Sequence, residues 1–246
     1  MSRVRVDQRM LDLGLAPSRA KAQALIMAGA VYAGDTRIDK PGALVDAEVE
    51  LRLKGENNPY VSRGGIKLEG ALRAFSVDAT GLRCLDLGAS TGGFTDCLLQ
   101  RGAASVCAVD VGYGQLAHKL RTDTRVHVME RTNARTLMPE DIGGQVDMIV
   151  VDASFISLLK LGEAMARCLR PGGILVALVK PQFEAGREEA SRGNGVIRDP
   201  AVRERAIQSA AEGLAELGFE ILGLCDSPIA GPKGNLEAFV HARRLG

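Results

Sequence analysis

The sequence lacks the features that define several classes of protein. Its five cysteines are scattered, with no Cys-x-x-Cys pair and no histidine at metal-ligand spacing, which argues against a disulfide framework or a zinc site. No apolar stretch follows residues 1–5, so no signal peptide is expected. The longest apolar run, residues 174–179, is too short to cross a bilayer. These absences predict a cytoplasmic protein with reduced thiols, no metal and no membrane association.

Neither composition nor length is unusual. The 246 residues are 46% hydrophobic and 25% charged, with a formal net charge of +1, as in ordinary globular proteins. Residues 1–67 carry 11 Lys and Arg against 8 Asp and Glu, whereas the remainder carries 20 against 22. This asymmetry suggests a small polyanion-binding module ahead of a mildly acidic body, although an excess this modest also arises by chance. The oligomeric state cannot be read from the sequence.

The first part of the chain has the pattern of a small α+β domain. Residues 6–28 predict two short helices, the first ending at Gly14 and the second capped by Ser18. Strands are predicted at residues 31–33 and 49–53, and residues 54–59 are turn-rich. The domain boundaries predicted from this pattern are residues 1–54, a linker at 55–61, and residues 62–246. The apolar faces are predicted to hold Val6, Met10, Leu11 and Leu13 in the first helix and Ala20, Ala24, Leu25 and Met27 in the second.

Strands and helices alternate through the rest of the chain. This alternation predicts an α/β, Rossmann-like domain with a mostly parallel sheet covered on both faces. A charged stretch from residue 184, ending in Gly193-Asn194-Gly195, predicts a long irregular loop. The predicted strands are residues 82–87, 105–110, 126–130, 146–151, 174–179, 220–225 and 236–242, and the predicted helices include residues 93–100, 157–169 and 200–217.

A glycine-rich loop follows the first strand of this domain. In this loop Asp86 is followed by glycines spaced as Gly88-x-x-x-Gly92-Gly93. Loops that bind a dinucleotide pyrophosphate need a different spacing, Gly-x-Gly-x-x-Gly. Glycines let the backbone approach a ligand closely, and a helix N-terminus follows with free N–H groups. The spacing therefore suits S-adenosylmethionine, a ligand without phosphates. The candidate residues in the loop are Asp86, Gly88, Ser90, Gly92 and Phe94.

Two later strand ends fit the same ligand. Asp110 ends the second strand, where it can accept hydrogen bonds from a ribose diol, and Asn133 follows the third strand, near the expected adenine edge. The alternative is a structural glycine turn in some other Rossmann-like domain.

The loop also matches a hydrolase motif. Gly88-Ala89-Ser90-Thr91-Gly92 has the Gly-x-Ser-x-Gly pattern of a nucleophile elbow, and Asp226 followed by His241 keeps the order Ser, Asp, His. An elbow, however, lies deep inside a hydrolase sheet, and Asp86 has no role in one. The cofactor interpretation is therefore preferred.

Two charged side chains are predicted at adjacent strand ends. Asp152 ends the fourth strand and Lys180 the fifth, so the two can form an ion pair beside the cofactor. Pro181 ends the ladder and fixes where the lysine points. A lysine at a strand end can equally be an exposed rim charge.

Five separated motifs resemble the TlyA family of rRNA 2′-O-ribose methyltransferases, sometimes labelled haemolysins. The front part, with Ser18-Arg19 and Lys21-Ala22, is similar to the S4-type RNA-binding domain of that family. The motifs appear in order and cover nearly the whole chain: residues 60–68, 86–94, 152–156, 180–184 and 234–237.

The resemblance implies a fold, a reaction and a set of residues. The fold is a seven-stranded class I methyltransferase sheet of FtsJ type, and the reaction is methylation of a ribose, expected to be that of a cytidine, in ribosomal RNA. It implies a catalytic tetrad of Lys67, Asp152, Lys180 and Glu237. Strand topology alone would not single out Lys67 or Glu237. Ala238 departs from the family, in which an aromatic residue is frequent there.

The hypothesis that follows gives Lys180 the role of base or steering group. Lysine is protonated at neutral pH, so a base role requires that a neighbouring cation and partial burial favour the neutral amine. Lys67 would supply that cation and hold the hydroxyl, while the two carboxylates orient the lysines. Basic residues would position phosphates of ribosomal RNA or of a ribosomal subunit. The candidates are Arg5, Arg9, Arg19, Lys21 and Arg63, each of which can also be an ordinary solvated charge.

Three other functions compete with this one. A methyltransferase for protein or a small molecule would not need the front domain. A membrane-active haemolysin would need a membrane-spanning or lipid-facing segment. A non-catalytic RNA-binding protein would not need intact acids and lysines at the strand ends.

Overall fold

A computed structural model describes residues 3–33, 36–47, 49, 51–53, 58–186, 189, 193, 195–231 and 233–246, with the side chain of Arg52 left aside. Three parts of the chain lie outside the described residues. They are residues 34–35 after the predicted strand at 31–33, residues 54–57 of the turn-rich stretch, and most of the charged stretch at residues 187–192. The chain divides into two compact units, Met1–Asn57 and Asn58–Gly246.

The first unit packs two helices against short strands. Strand β1 (Arg3–Arg5) pairs antiparallel with β4 (Leu44–Asp46), and β2 (Val31–Ala33) lies between β3 (Thr36–Arg37) and β5 (Leu51–Leu53). The helices are α1 (Val6–Asp12) and α2 (Arg19–Met27), and Ser18 caps α2 by accepting from the Lys21 backbone N–H. Their core includes Val6, Met10, Ala22, Ile26, Val31 and Leu51.

The predicted apolar face of α2 is wrong at three of its four residues, since only Leu25 packs against the core. Ala22 and Ile26 are its buried residues, whereas Met27 is 74% exposed and Ala20 and Ala24 are also exposed. Alanines occur on several sides of this nine-residue helix. The sequence pattern therefore did not distinguish the face formed by Ala22 and Ile26 from the other possible apolar faces. In α1, Val6 and Met10 are buried as predicted, but Leu13 follows the helix and is 41% exposed.

The second unit begins with segment 59–61 and helix α3 (Arg63–Ala74), which was not predicted. Val61 N–H donates to Asp96 Oδ2 at 2.8 Å, and the carbonyl of Pro59 accepts from Gln100 Nε2 at 3.1 Å. These two bonds attach the end of the predicted linker to the second unit.

The strands and helices of the second unit follow in alternation, close to the predicted bounds. The strands are β6 (Arg83–Leu87), β7 (Ser105–Val109), β8 (Val126–Met129), β9 (Val146–Val151), β10 (Leu169–Val179), β11 (Phe219–Asp226) and β12 (Ala238–Arg244). The helices are α4 (Gly93–Gln100), α5 (His118–Arg121), α6 (Gly162–Cys168), α7 (Pro181–Glu184) and α8 (Pro200–Glu216). Three 3-10 turns occupy Ala134–Thr136, Pro139–Ile142 and Leu158–Leu161, so the single helix predicted at residues 157–169 is a 3-10 turn followed by α6.

Among the described residues, seven strands form one sheet in the order β11-β12-β10-β9-β6-β7-β8. β12 is antiparallel to both of its neighbours, and the other pairs are parallel. The α/β fold class and its seven-stranded sheet are therefore confirmed. The chain runs outward from β6 in one direction and returns to β9 on its other side. The crevice between the ends of β6 and β9 is consequently the position at which open α/β sheets bind ligands.

Helices cover both faces of this sheet. On one face, Leu68 and Leu72 of α3 pack with Phe94 and Leu98 of α4. On the other face, Met165 of α6 packs with residues of α8. Within the described part of the chain, no helix combines the length and the apolarity needed to cross a membrane.

A buried carboxylate organises the basic side chains of the first unit. The Asp7 side chain is fully buried and accepts hydrogen bonds from Arg5 at 2.9 and 3.0 Å, from Arg19 at 3.0 Å and from Gln23 at 3.0 Å. The Arg5 guanidinium is the largest influence holding the pKa of Asp7 well below its usual range, with Gln23 and Arg19 acting in the same direction.

We expect Asp7→Ala to lower the free energy of unfolding by about 2–3 kcal/mol at pH 7, because charge-assisted hydrogen bonds are lost. A depressed pKa contributes stability that is present above the unfolded-state pKa and is lost as the pH falls toward the folded-state pKa. The deficit should therefore shrink below about pH 3. Urea unfolding followed by circular dichroism measures both values. Asp12→Ala is the matched control, since Asp12 lies on the same helix and accepts from Gln8 at the surface; equal effects of the two substitutions would contradict the expectation.

Candidate functional site

The glycine-rich loop between β6 and α4 has a backbone that glycine must supply at two positions. Gly88 has φ +88°, and a Cβ there would lie 2.7 Å from the carbonyl oxygen of Asp152. Gly92 has φ +98°, and its Cβ would collide with the side chain of Leu120. The loop therefore runs against the end of β9 on one side and against α5 on the other.

Asp86 lies directly beneath this loop. Its side chain is fully buried, Thr95 Oγ1 donates to Oδ2 at 2.6 Å, and Oδ1 has no hydrogen-bond partner among the described residues. Burial is the main cause that raises the pKa of Asp86 to about 7, and the charges of Asp152 and Asp110 add to it. A buried acceptor without a partner is ready to receive a donor, in particular a cation.

The other predicted cofactor residues differ in their contacts with the loop. Asp110 accepts from the Ser90 N–H at 2.8 Å and the Gly112 N–H at 2.7 Å, so it holds the loop from the end of β7. Phe94 is 2% exposed, and its ring lies 6.1 Å from that of Phe239. Asn133 is exposed after β8, where its Oδ1 accepts from the Arg135 N–H at 3.1 Å.

The four tetrad candidates form two ion pairs. Lys67 Nζ, on α3, lies 2.5 Å from Glu237 Oε2, just before β12, and these side chains are 9% and 1% exposed. Lys180 Nζ, at the end of β10, lies 2.5 Å from Asp152 Oδ1, at the end of β9. Lys180 Nζ also donates to Ser154 Oγ at 2.8 Å.

A cleft of about 670 Å³ brings these groups together. Its lining includes all four tetrad candidates, Arg63, and three of the predicted cofactor residues, Gly88, Ser90 and Phe94. Asp86, Gly92, Asp110 and Asn133 are not part of this lining. The cleft is large enough for a cofactor-sized ligand with a substrate group beside it.

Ser154 and Phe155 are among the lining residues to which the sequence assigned no role. Ser154 accepts a hydrogen bond from Lys180, and Phe155 is 92% exposed with φ +66°. The Phe155 ring lies 5.6 Å from that of Phe183. Phe155 stands in a motif quoted for the family resemblance, but nothing in the sequence distinguishes a projecting aromatic side chain from a buried one.

The hydrolase alternative does not agree with this geometry. Ser90 Oγ lies 3.2 Å from Gln115 Oε1, Asp226 pairs with Arg203, and the His241 ring packs 5.1 Å from that of Phe75. Each member of the supposed triad therefore has a different partner. Within the described ranges, no group of three or more His, Cys, Asp or Glu side chains is arranged to hold a metal ion.

The basic candidates lie in both units. In the first unit, Arg5 and Arg19 are about half exposed above Asp7, and Lys21 is exposed on α2. Arg9 has a buried Nε with no partner among the described residues, so its guanidinium is less available than the others. In the second unit, Arg63 is exposed at the start of α3.

Comparison with known families agrees with the division of the chain into two units. Residues 60–244 match the FtsJ-like methyltransferase model, and residues 4–51 match the S4 domain model. The chain is 49% identical, over 98% of its length and 90% of the relative's, to the 16S/23S rRNA (cytidine-2′-O)-methyltransferase TlyA of Mycobacterium tuberculosis. The chain belongs to the TlyA family of FtsJ-like methyltransferases. The resemblance inferred from the five motifs is thus confirmed.

Other TlyA relatives carry a different kind of name. The chain is 39% identical to Hemolysin A of Brachyspira hyodysenteriae, over 97% of this chain and 99% of that one. A solved structure from Streptococcus thermophilus, described as a candidate hemolysin, is 45% identical with a TM-score of 0.78 and covers 100% of this chain and 90% of its own. A hemolysin name and an rRNA methyltransferase name therefore occur within one family and one fold.

The two buried charges of the Lys67–Glu237 pair should depend on each other. Lys67→Met leaves the Glu237 carboxylate buried without its cation, so we expect it to lower the free energy of unfolding by about 3–5 kcal/mol. Adding Glu237→Gln removes that unpaired charge, and the double variant should be more stable than Lys67→Met alone. Urea denaturation of the four proteins in this cycle measures the coupling. Additive losses would show that the two side chains do not interact.

Proposed function

We propose that this protein methylates the 2′-hydroxyl of a ribose, that of a cytidine, in ribosomal RNA, with S-adenosylmethionine as the methyl donor. The observation that carries the proposal is the pair of lysine–carboxylate contacts in one cleft, Lys67 with Glu237 and Lys180 with Asp152, beside the glycine-rich loop. The printed activity of the Mycobacterium tuberculosis relative supports the RNA substrate. Ribosomal RNA and five free thiols are consistent with a cytoplasmic location.

The residues around the loop fit S-adenosylmethionine. Asp86 offers a buried oxygen without a partner, which suits a ligand that carries an ammonium group. Gly88, which has no Cβ, lets the loop lie directly against the end of β9, so the loop backbone and the Asp152 carboxylate border the same cleft. When bound, the cofactor supplies an electrophilic methyl group on a sulfonium. The residues that would hold it are Asp86, Gly88, Ser90, Gly92, Phe94, Asp110 and Asn133.

Lys180 is the proposed acceptor of the hydroxyl proton. A ribose hydroxyl is a poor nucleophile, and its oxygen attacks more readily as a base removes its proton. For this role Lys180 first releases a proton to solvent. Its amine then takes the hydroxyl proton and returns to the ammonium form that pairs with Asp152. Asp152 and Ser154, at 2.5 and 2.8 Å, stabilise the positive charge that develops on Nζ.

Lys67 is proposed to hold the 2′-oxygen in position. Its ammonium has three N–H groups, of which one points to Glu237, so others remain for a substrate oxygen. Glu237 in turn fixes the direction of Lys67, because both side chains are buried. Positioning of this kind accounts for a large part of the rate in reactions between two bound groups.

The RNA would be bound by both units. We propose that residues 1–54 bind phosphates through Arg5, Arg9, Arg19 and Lys21, that Arg63 contacts RNA at the cleft, and that residues 62–246 transfer the methyl group. Arg5 uses two donor atoms on Asp7, and Arg19 uses one, so each keeps further N–H groups for a phosphate. The exposed ring of Phe155 can stack against a base turned out of its helix.

Replacement of Lys180 tests the proton transfer. We expect Lys180→Ala to reduce label transfer from radiolabelled S-adenosylmethionine to ribosomal subunits by roughly 10²–10⁴-fold, while cofactor binding by calorimetry is unchanged. Lys180→Arg should be equally inactive, because a guanidinium keeps its proton and cannot act as a base. Mapping the modified nucleotide in the wild-type reaction identifies the ribose.

Lys160→Ala is the matched control, since Lys160 is an exposed lysine of the same unit. Substantial activity of Lys180→Arg would assign Lys180 a steering role instead. Full activity of Lys180→Ala would show that Lys180 has no role in the mechanism. If the wild-type protein labels neither ribosomal subunit, the proposed RNA substrate is contradicted.

Salt-dependent binding tests the arginines of the first unit. Removing one arginine that neutralises a phosphate should reduce the slope of log affinity against log salt by about 1, so Arg5→Ala/Arg19→Ala should lower it by about 2. Filter binding of ribosomal RNA across salt concentrations measures the slope. Arg243→Ala provides the control, because Arg243 is exposed on β12 and paired with Glu220. An unchanged slope in the double variant would exclude Arg5 and Arg19 from the RNA interface.

A further inference from the structure

Two segments that follow neighbouring strands contain two of the four proposed catalytic residues, Asp152 and Lys180. One runs from Asp152 to Leu158 after β9, and the other runs from Lys180 to Glu184 after β10. We call their mutual contacts the strand-end clasp. At the start of the first segment, Lys180 forms an ion pair with Asp152 and donates a hydrogen bond to Ser154. In the middle of that segment, the Phe155 ring lies 5.6 Å from the Phe183 ring of the second segment.

Glu184 closes the clasp at its far end. Its Oε2 accepts from Ser157 Oγ at 2.7 Å, and its Oε1 accepts from the Leu158 backbone N–H at 2.7 Å. Both carboxylate oxygens are therefore used, and both reach across to the other segment. Burial raises the pKa of Glu184, while the bonds from Leu158 and Ser157 act in the opposite direction.

The segment that Glu184 holds is not in a relaxed conformation. Phe155 has φ +66°, in the left-handed region that a residue with a Cβ occupies only at a cost, and its side chain is 92% exposed. Such a conformation persists when the surrounding contacts determine it from both sides. Lys180 supplies the contact before Phe155, and Glu184 supplies the contact after it.

We propose that Glu184 is a positioning residue for methyl transfer, one that keeps Asp152, Ser154 and Phe155 in place around Lys180 without touching the substrate. The inference rests on the proposed function of the cleft. Asp152 and Ser154 can stabilise the positive charge that develops on Lys180 only while residues 152–158 stay in this arrangement. Displacement of a catalytic contact by about 1 Å can cost about 100-fold in rate.

The experiment compares Glu184→Ala and Glu184→Gln in the full chain. Glu184→Ala removes both acceptors, and we expect kcat for label transfer to ribosomal subunits to fall roughly 10- to 100-fold. Cofactor affinity should stay within about twofold of wild type, since the loop at Gly88–Gly92 is untouched. Glu184→Gln keeps an acceptor for Leu158 and a donor for Ser157, so it should restore kcat to within about threefold of wild type.

A second measurement reports on the clasp without activity. Peptides covering residues 152–160 should exchange amide hydrogen faster in Glu184→Ala than in wild type, and Glu184→Gln should slow that exchange again. Glu163→Ala is the control, because the Glu163 side chain is 84% exposed on α6. If Glu184→Ala does not fold, Ser157→Ala removes the donor to Oε2, together with the acceptor of the Leu159 N–H, and leaves the bond from Leu158 to Oε1 in place. It should lower kcat about 3- to 10-fold.

The outcomes separate the two proposals. A wild-type protein that labels no ribosomal subunit overturns the proposed function and this inference together. An active wild type with unchanged kcat in Glu184→Ala, or in Ser157→Ala when that variant takes its place, overturns this inference alone. So does a loss of kcat that Glu184→Gln fails to restore.

Discussion

The carboxyl ends of β6 and β9 lie against each other because Gly88 has no Cβ. The Asp152 N–H donates to the Leu87 carbonyl at 3.0 Å, and the Asp152 carbonyl occupies the space beside Gly88 that any other residue would fill. This contact places the glycine-rich loop and the Asp152 carboxylate at the same edge of the sheet. Lys180 then arrives at that edge because β10 pairs in parallel with β9. One close approach of two backbones thus brings the glycine-rich loop, Asp152 and Lys180 to one edge of the sheet.

The charges at this edge are compensated in pairs. Each lysine faces one carboxylate at 2.5 Å, so the cleft holds two ammonium groups without a net excess of either sign among these four residues. An unpaired buried charge would cost several kcal/mol, which favours pairing over four independent groups. The pairs differ in exposure, since Glu237 is 1% exposed and Asp152 is 24% exposed. The two lysines are almost equally buried, so the difference in exposure between the pairs lies in their carboxylates.

The parts of this site that follow from strand order could be predicted from the sequence. Asp86, Asp110, Asp152 and Lys180 all stand at or next to the ends of parallel strands, and parallel strand ends share one edge of a sheet. Lys67 and Glu237 do not obey this rule. They are 170 residues apart, one on a helix that precedes the sheet and the other before an antiparallel strand, and only the family resemblance indicated them. Ser154 and Phe155 were not assigned a role, because exposure and a left-handed φ depend on tertiary contacts. The prediction of which face of α2 is buried was mostly wrong for a related reason, since small residues give a weak periodic signal.

A common device recurs in the two units. In the first, the buried Asp7 fixes the direction of Arg5 and Arg19, and in the second, Glu237 fixes Lys67 and Asp152 fixes Lys180. In each case a short acidic side chain, which has little conformational entropy to lose, orders a long basic one that has much more. A basic side chain that is already ordered loses less entropy when it binds a phosphate or a hydroxyl. The carboxylates lower the net charge of the protein, yet they make the remaining N–H groups of the arginines and lysines more directional. Orientation, rather than the amount of positive charge, is therefore what the acidic residues contribute to the proposed recognition of RNA by a chain whose formal net charge is only +1.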